Sequence, residues 1–306
     1  MNMDSNTLTV VPCETCAAGS VSLNEIRFEV TGGAKLFWYP GLSFTGTDLQ
    51  DFDGGAVFVG EDSTARFYGD FSTTDVGIRS VPDEYVDFAT YQLSGGCVYV
   101  DGYFRVEGDA SFVGCENNGG GEASPGPGGV MYVSPTGSVL FAGQVEMSEV
   151  SIIDNDGSNG GGIYNEGKVN IKGNAVFNDL RAEAGGAIYN AEGAEFRFKQ
   201  KATALFNDCL SFDGIGGAVF NAGYFKLSGP ATVQESRAPL FVVTSTGYTR
   251  LSEGSVFTAE EGEDTFPAIL VNEGGRLTGT GKVSFEGGAT SACASVFFED
   301  GGVCLD

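Results

Sequence analysis

Residues 185–190 read GGAIYN, with GGGIYN at 160–165 and GGAVFN at 216–221. The same hexapeptide stands at 54–59 as GGAVFV, at 95–100 as GGCVYV and at 128–133 as GGVMYV. Degenerate copies follow as APLFVV from Ala238, PAILVN from Pro267 and CASVFF from Cys293. The copies start between about 22 and 41 residues apart. A constant motif at irregular spacing denotes one structural unit carrying loops of variable length.

Each unit has further internal order. After the hexapeptide and a Gly-containing turn comes an alternating segment, as in GYFRVEG (102–108), GKVNIKG (167–173), GAEFRFK (193–199) and GYFKLSG (223–229). A third short apolar piece follows, as in ASFVGC (110–115), AVFNDL (175–180), ALFNDC (204–209) and ATVQES (231–236). Helical periodicity is absent, so each unit reads as three short strands separated by Gly, Asn and Asp. Three such strands cannot bury an inner face alone, but stacked units can. The predicted fold is therefore all-β, a parallel β-helix of about nine to ten three-stranded coils, with like strands pairing at about 4.8 Å. The handedness is expected to be right, as for parallel crossovers generally. Residues 1–50 are expected to form an N-terminal cap and a degenerate first coil, and 51–306 a single continuous solenoid.

The composition agrees. Apolar residues make up 42% of the 306, enough to fill a core. With 48 Gly but only 9 Pro and no triplet period, collagen is excluded. The net charge of −25 makes nucleic acid and anionic membrane surfaces poor partners. No apolar run is long enough for a transmembrane helix. The first residues, MNMDSNTLTVVPCETCAAG, lack the basic and apolar regions of a secretory signal. Histidine is absent, which removes the commonest general base and zinc ligand.

Gly-Gly-Ala followed by Ile or Val and then Tyr or Phe resembles the repeats of the chlamydial polymorphic outer-membrane proteins. The match is good over residues 54–221. Those proteins are surface adhesins with a right-handed β-helical passenger, and their second signature is Phe-x-x-Asn. Here the fourth position of that element is Cys115, Leu180, Cys209 and Ser236. The resemblance implies a surface or secreted, non-enzymatic, adhesin-like protein that binds a glycan or a cell-surface protein along one solenoid face.

Two columns of residues are candidate binding surfaces. Aligning units on the Gly that ends the second strand gives Arg66, Arg105, Asn170, Arg197, Lys226, Arg250 and Arg276 in one outward position, flanked by Lys168, Lys172 and Lys199. Stacked at strand spacing, these would form a basic stripe for an anionic polysaccharide, unless Glu61, Glu107, Glu166, Glu192 and Glu195 neutralise it. The second column is aromatic, with Phe58, Tyr99, Tyr132, Tyr164, Tyr189 and Phe220. If the aliphatic neighbours Val57, Val98, Met131, Ile163, Ile188 and Val219 point inward, the rings point outward. They would then either bind sugar faces or stack on one another.

Other motifs carry less chemistry. Cys13 and Cys16 form a CxxC outside any βαβ pattern. Cys293 and Cys304 are candidates for a bridge in an oxidising compartment, whereas Cys97, Cys115 and Cys209 read as buried small hydrophobes. The run from Asp154 to Asn159 lacks the Gly and Glu of an EF-hand, and the acidic loop of Glu260, Glu261, Glu263 and Asp264 reads as solvated. No metal or cofactor is called for. A polysaccharide lyase, hydrolase or epimerase would need converging carboxylates; Asp51 with Asp53, and Asp179 with Asp208, are the nearest candidates. A spacer without ligand is the third reading.

Overall fold

The computed structural model describes residues 2–4, 7–10, 20–46, 48–50, 52–79, 93–118, 126–150, 159–199, 201–236, 239–252, 254–259, 268–279, 284–286 and 296–298. Among them every element is a strand, and none is a helix that could cross a membrane. The chain visits three parallel sheets in turn. One coil runs through Ile188–Asn190 in the first sheet, Glu195–Phe198 in the second and Ala204–Ile215 in the third. The sheets contain eleven, ten and ten strands among the described residues, so the fold is a parallel β-helix of three-stranded coils.

Ahead of Asp51, strands from Asn2–Asp4 to Gly41–Thr45 join the same three sheets. A shorter fourth side, made of Asp48–Gln50, Gly77–Arg79 and Glu116–Asn118, closes the early coils. Later coils lengthen the third strand over the same path, as in Ala175–Ala184.

The hexapeptide builds the corner that enters the first sheet. Gly185 has φ +64°, and a Cβ there would lie 2.3 Å from the Ile188 carbonyl oxygen. A Cβ on Gly186 would lie 2.2 Å from the Gly217 carbonyl oxygen of the next coil. The first glycine is required by backbone conformation and the second by the close approach of coils. The aliphatic residues point inward as expected: Val57, Val98, Met131, Ile163, Ile188 and Val219 are fully buried, and the rings beside them are half-exposed.

The core is filled from three sides, the aliphatics of the first sheet meeting phenylalanines of the second and third. Phe104, Phe141, Phe196 and Phe225 come from the second; Phe112, Phe177 and Phe206 come from the third. Each fully buried ring contributes on the order of 2–3 kcal/mol through the area it removes from water.

The hexapeptide's last residue adds a polar seam. Asn165, Asn190 and Asn221 are buried and in register. Asn165 Nδ2 donates to Asn190 Oδ1 (2.7 Å), and Asn190 Nδ2 donates to Asn221 Oδ1 (2.8 Å). Each Asn Nδ2 also donates to a carbonyl oxygen at the next coil's second-sheet strand: Glu195, Tyr224 and Tyr248 respectively. Asn165 Oδ1 and Asn221 Oδ1 accept the amides of Gly167 and Gly223. The buried amides are thereby satisfied, which removes the cost that an unpaired polar group would incur.

The reading of Cys97 and Cys115 as separate buried hydrophobes is corrected: they form a disulfide with a Cα separation of 5.7 Å. Between them the chain runs through Val98–Val100, Tyr103–Val106 and Ala110–Val113, one strand of each sheet, and returns to the same corner, within bridging reach. The Thr73 hydroxyl lies 3.4 Å from each sulfur. Cys209 is buried, and burial pushes its thiol pKa up to about 12. Cys13, Cys16, Cys293, Cys304, Asp51, residues 154–158 and the acidic loop from Glu260 to Asp264 lie outside the described residues.

Candidate functional site

The second sheet presents alternate residues outward, and strand pairing fixes which of them share a column. Arg66 is in register with Arg105, and Arg105 with Leu140. Leu140 is followed by Asn170, Arg197, Lys226 and Arg250. Five of the six cations read as one column therefore stand together. Arg276 does not: it pairs with Tyr248, and Thr278 takes the place beside Arg250. The register is counted from the turn that opens the strand, where Gly275 N donates to Asn272 O and Arg276 N to Gly247 O. Arg276 is the first residue after that turn, so alignment on the Gly at the strand's end misplaces it.

The column divides into two halves of different chemistry. In the early coils, Arg66 and Arg105 both grip Glu107. Arg66 Nε donates to Glu107 Oε1 at 3.0 Å, and Arg105 NH2 donates to Glu107 Oε2 at 2.9 Å. Burial alone would raise the Glu107 carboxyl, but the hydrogen bonds from Arg105 and Arg66 outweigh it and hold the group below its ordinary range. The Arg66 guanidinium also lies 4.4 Å from the centre of the Tyr68 ring, which stacks on Tyr39. In the later coils, Arg197 lies 2.6 Å from Glu195 and over the Tyr224 ring. Lys226 and Arg250 form no ion pair among the described residues.

Of the five glutamates that could neutralise the stripe, Glu107 and Glu195 do so. Glu166 turns instead to the first sheet, where it accepts the Tyr132 hydroxyl.

The aromatic column is in register on the first sheet. Centroids of successive rings from Phe58 to Phe220 lie 4.5–5.7 Å apart, with interplanar angles of 7–28°. Tyr99, Tyr132, Tyr164 and Tyr189 thus turn their faces to one another and offer solvent only edges and hydroxyls. Sugar-face binding needs a free ring face, and this ladder has none along its length. Burial, then the charges of Asp53, Asp101 and Glu166, raises the Tyr99 phenol to about 12. Burial and Glu166 push Tyr132 and Tyr164 further up. Arg27 caps the ladder at 5.1 Å from the Phe58 ring centre and donates to the Asp53 and Gly54 carbonyl oxygens.

Asp53, Asp179 and Asp208 are the described carboxylates among those considered for catalysis. Asp179 and Asp208 belong to a column of left-handed corner residues that also holds Glu25, Gly46, Asp75, Gly114 and Glu149. The Asp179 carboxylate is exposed and ion-paired with Arg181 at 3.0 Å. Asp53 Oδ1 accepts the Ser94 amide at 2.6 Å and ties two coils together. No cluster of three metal-ligating side chains occurs among the described residues.

Besides the disulfide, two features escaped the reading of the sequence. The asparagine seam had a visible signal, the identical sixth residue in three consecutive hexapeptides. The acidic corner column had little, because two glycines interrupt it. Comparison of the chain with protein-family models, curated proteins and solved structures yields no match.

Proposed function

We propose that this chain is a non-enzymatic, extracellular or cell-surface binding scaffold, and that it attaches to its target through the outer face of the second sheet in the later coils. The observation that carries the reading is Lys226 beside Arg250, two in-register cations with no carboxylate partner among the described residues, on a protein of net charge −25. A chain so acidic has enough carboxylates to cover a purely structural stripe, as Glu107 does for Arg66 and Arg105. A repeated rigid face also suits extended, multivalent contact. The adhesive role implied by the hexapeptide's resemblance fits this arrangement. The buried Cys97–Cys115 bridge favours an oxidising compartment, hence the cell exterior.

The test is attachment of the purified chain to intact cells and to immobilised glycans, compared with a Lys226→Glu/Arg250→Glu variant of unchanged melting temperature. Loss of attachment in the variant supports the reading. Equal attachment by both proteins, or turnover of any polysaccharide by the wild type, overturns it.

A further inference from the structure

We infer that the later half of the second-sheet face is a lengthwise binding site for a linear acidic polysaccharide, carrying carboxylate or sulfate groups at about the spacing of the coils. The inference rests on the reading above and names the ligand of that same face.

Three observations meet here. The first is the density of charge. Arg197, Lys226 and Arg250 form a central column. Lys168 and Arg276 lie on one side of it, and Lys172 and Lys199 on the other. Within these strands the one carboxylate is Glu195, already beside Arg197. Glu166, Glu192 and Glu273 stand two or three residues ahead of these strands, at the turns on the Lys168 and Arg276 side. Screening at physiological salt acts over about 8 Å, so a ligand laid along this face feels the cations of the column more strongly than charges farther away.

The second observation is direction. Parallel in-register pairing repeats the column once per strand spacing, about 4.8 Å. A polymer laid along the solenoid axis meets a new cation at each coil, whereas one laid across it meets one or two. From Lys168–Ile171 to Arg276–Gly279 there are five strands, so four intervals. The site is thus about 19 Å long and takes about five charged units. The Ser138–Phe141 strand, whose outward residues are Ser138 and Leu140, carries no charge and separates this site from the closed Arg66–Glu107–Arg105 cluster.

The third observation selects the class of polyanion. A single-stranded nucleic acid needs free aromatic faces on which bases stack. The rings here, Tyr224 and Tyr248, stack on each other at 5.3 Å and Arg197 lies over Tyr224, which leaves one ring face, that of Tyr248 on the Arg276 side, against the run of faces that successive bases need. What remains is charge and hydrogen-bond donors: the Lys226 ammonium and the fork of the Arg250 guanidinium, suited to carboxylate and sulfate oxygens.

The experiment titrates the full chain with oligogalacturonates and heparin-derived oligosaccharides of two to eight sugars, at low and high salt. Affinity should rise with length, level off near about five charged units and fall with salt. Lys226→Gln/Arg250→Gln should lose about tenfold or more, and Arg66→Gln/Arg105→Gln less than about twofold. The melting temperatures of both variants are checked first. Affinity independent of length, equal losses in the two variants, or equal binding of single-stranded DNA overturns the inference. If no acidic oligosaccharide binds, yet Lys226→Glu/Arg250→Glu still abolishes cell attachment, the ligand class is wrong and the face stands. If attachment ignores that variant, both fall.

Discussion

Replacing Asn190 by Asp changes one amide nitrogen to oxygen and leaves the shape of the coil alone. In the native chain that nitrogen donates to Asn221 Oδ1 at 2.8 Å and to the Tyr224 carbonyl at 3.2 Å, while Asn190 Oδ1 accepts from Asn165. The new oxygen would face two acceptors in a fully buried site. Protonated, the introduced carboxyl keeps one donor and loses about 1 kcal/mol, the worth of one hydrogen bond. Ionised, it is a buried charge without a cation, so its folded pKa must rise well above the unfolded value of about 3.9. A group raised in the folded state leaves stability intact below the unfolded pKa and drains it as pH climbs toward the folded one. If the folded pKa passes 7, the penalty at neutral pH grows by about 4 kcal/mol, or 1.36 kcal/mol for each of about three pH units. Valine is the control, since Val59, Val100, Val133 and Val243 fill the same place in other coils. Asn190→Val loses three hydrogen bonds, but Asn165 and Asn221 keep the Glu195 carbonyl and Gly223 amide, so about 1–3 kcal/mol is expected at every pH. Urea denaturation followed by circular dichroism between pH 4 and 8 separates the two. An Asn190→Asp penalty that is flat with pH, or smaller than that of Asn190→Val at neutral pH, would refute the buried seam.

Three further outcomes are expected. Alkylation of the native protein should leave Cys97, Cys115 and Cys209 unmodified by mass spectrometry, the first two through their bond and the third through its burial; a Cys97→Ala/Cys115→Ala variant should lose about 2–4 kcal/mol in a melting experiment. Gly185→Ala should cost at least about 3 kcal/mol, because strain and a Cβ 2.3 Å from a carbonyl combine. Gly193→Ala, also at positive φ but with nothing within 4 Å, should cost about 1 kcal/mol, and equal costs would show the corner to be loose. Phenolate absorbance during alkaline titration should lag behind that of free tyrosine, because Tyr99 is raised to about 12. Stability should be intact below about pH 10 and decline above it as the unfolded chain ionises first; tyrosines titrating together near about 10 would place the ladder in open solvent.

The fold was legible because one device recurs without change. Two glycines, an inward aliphatic and an outward ring each answer to a local constraint, and stacking repeats that constraint coil after coil. The basic column was legible for the same reason as far as Arg250. It failed at Arg276, where Leu277 resembles the apolar residue at the end of earlier strands although the turn at Asn272–Gly275 sets the register. The disulfide was hidden because Cys97 and Cys115 occupy different places in the repeat and meet only when the coil closes. The corner acids were hidden because Gly46 and Gly114 share with Asp75 and Asp179 a backbone conformation and no side-chain chemistry. Whether a cation on the stripe is free or neutralised depends on two rotatable side chains reaching each other, which spacing alone does not determine.

The Cys97–Cys115 bond joins two points of a single coil and never crosses to another. A β-helix pulled from its ends should come apart as thread leaves a spool, one turn after the next, since each coil is held only by its neighbours. When the turn bearing the bridge unwinds, the 18-residue span stays tied off. The slack released there is shorter by about 60 Å, at roughly 3.3–3.6 Å for each extended residue. Beneath a surface that holds on by many weak contacts, that knot limits how far the rod lengthens under tension.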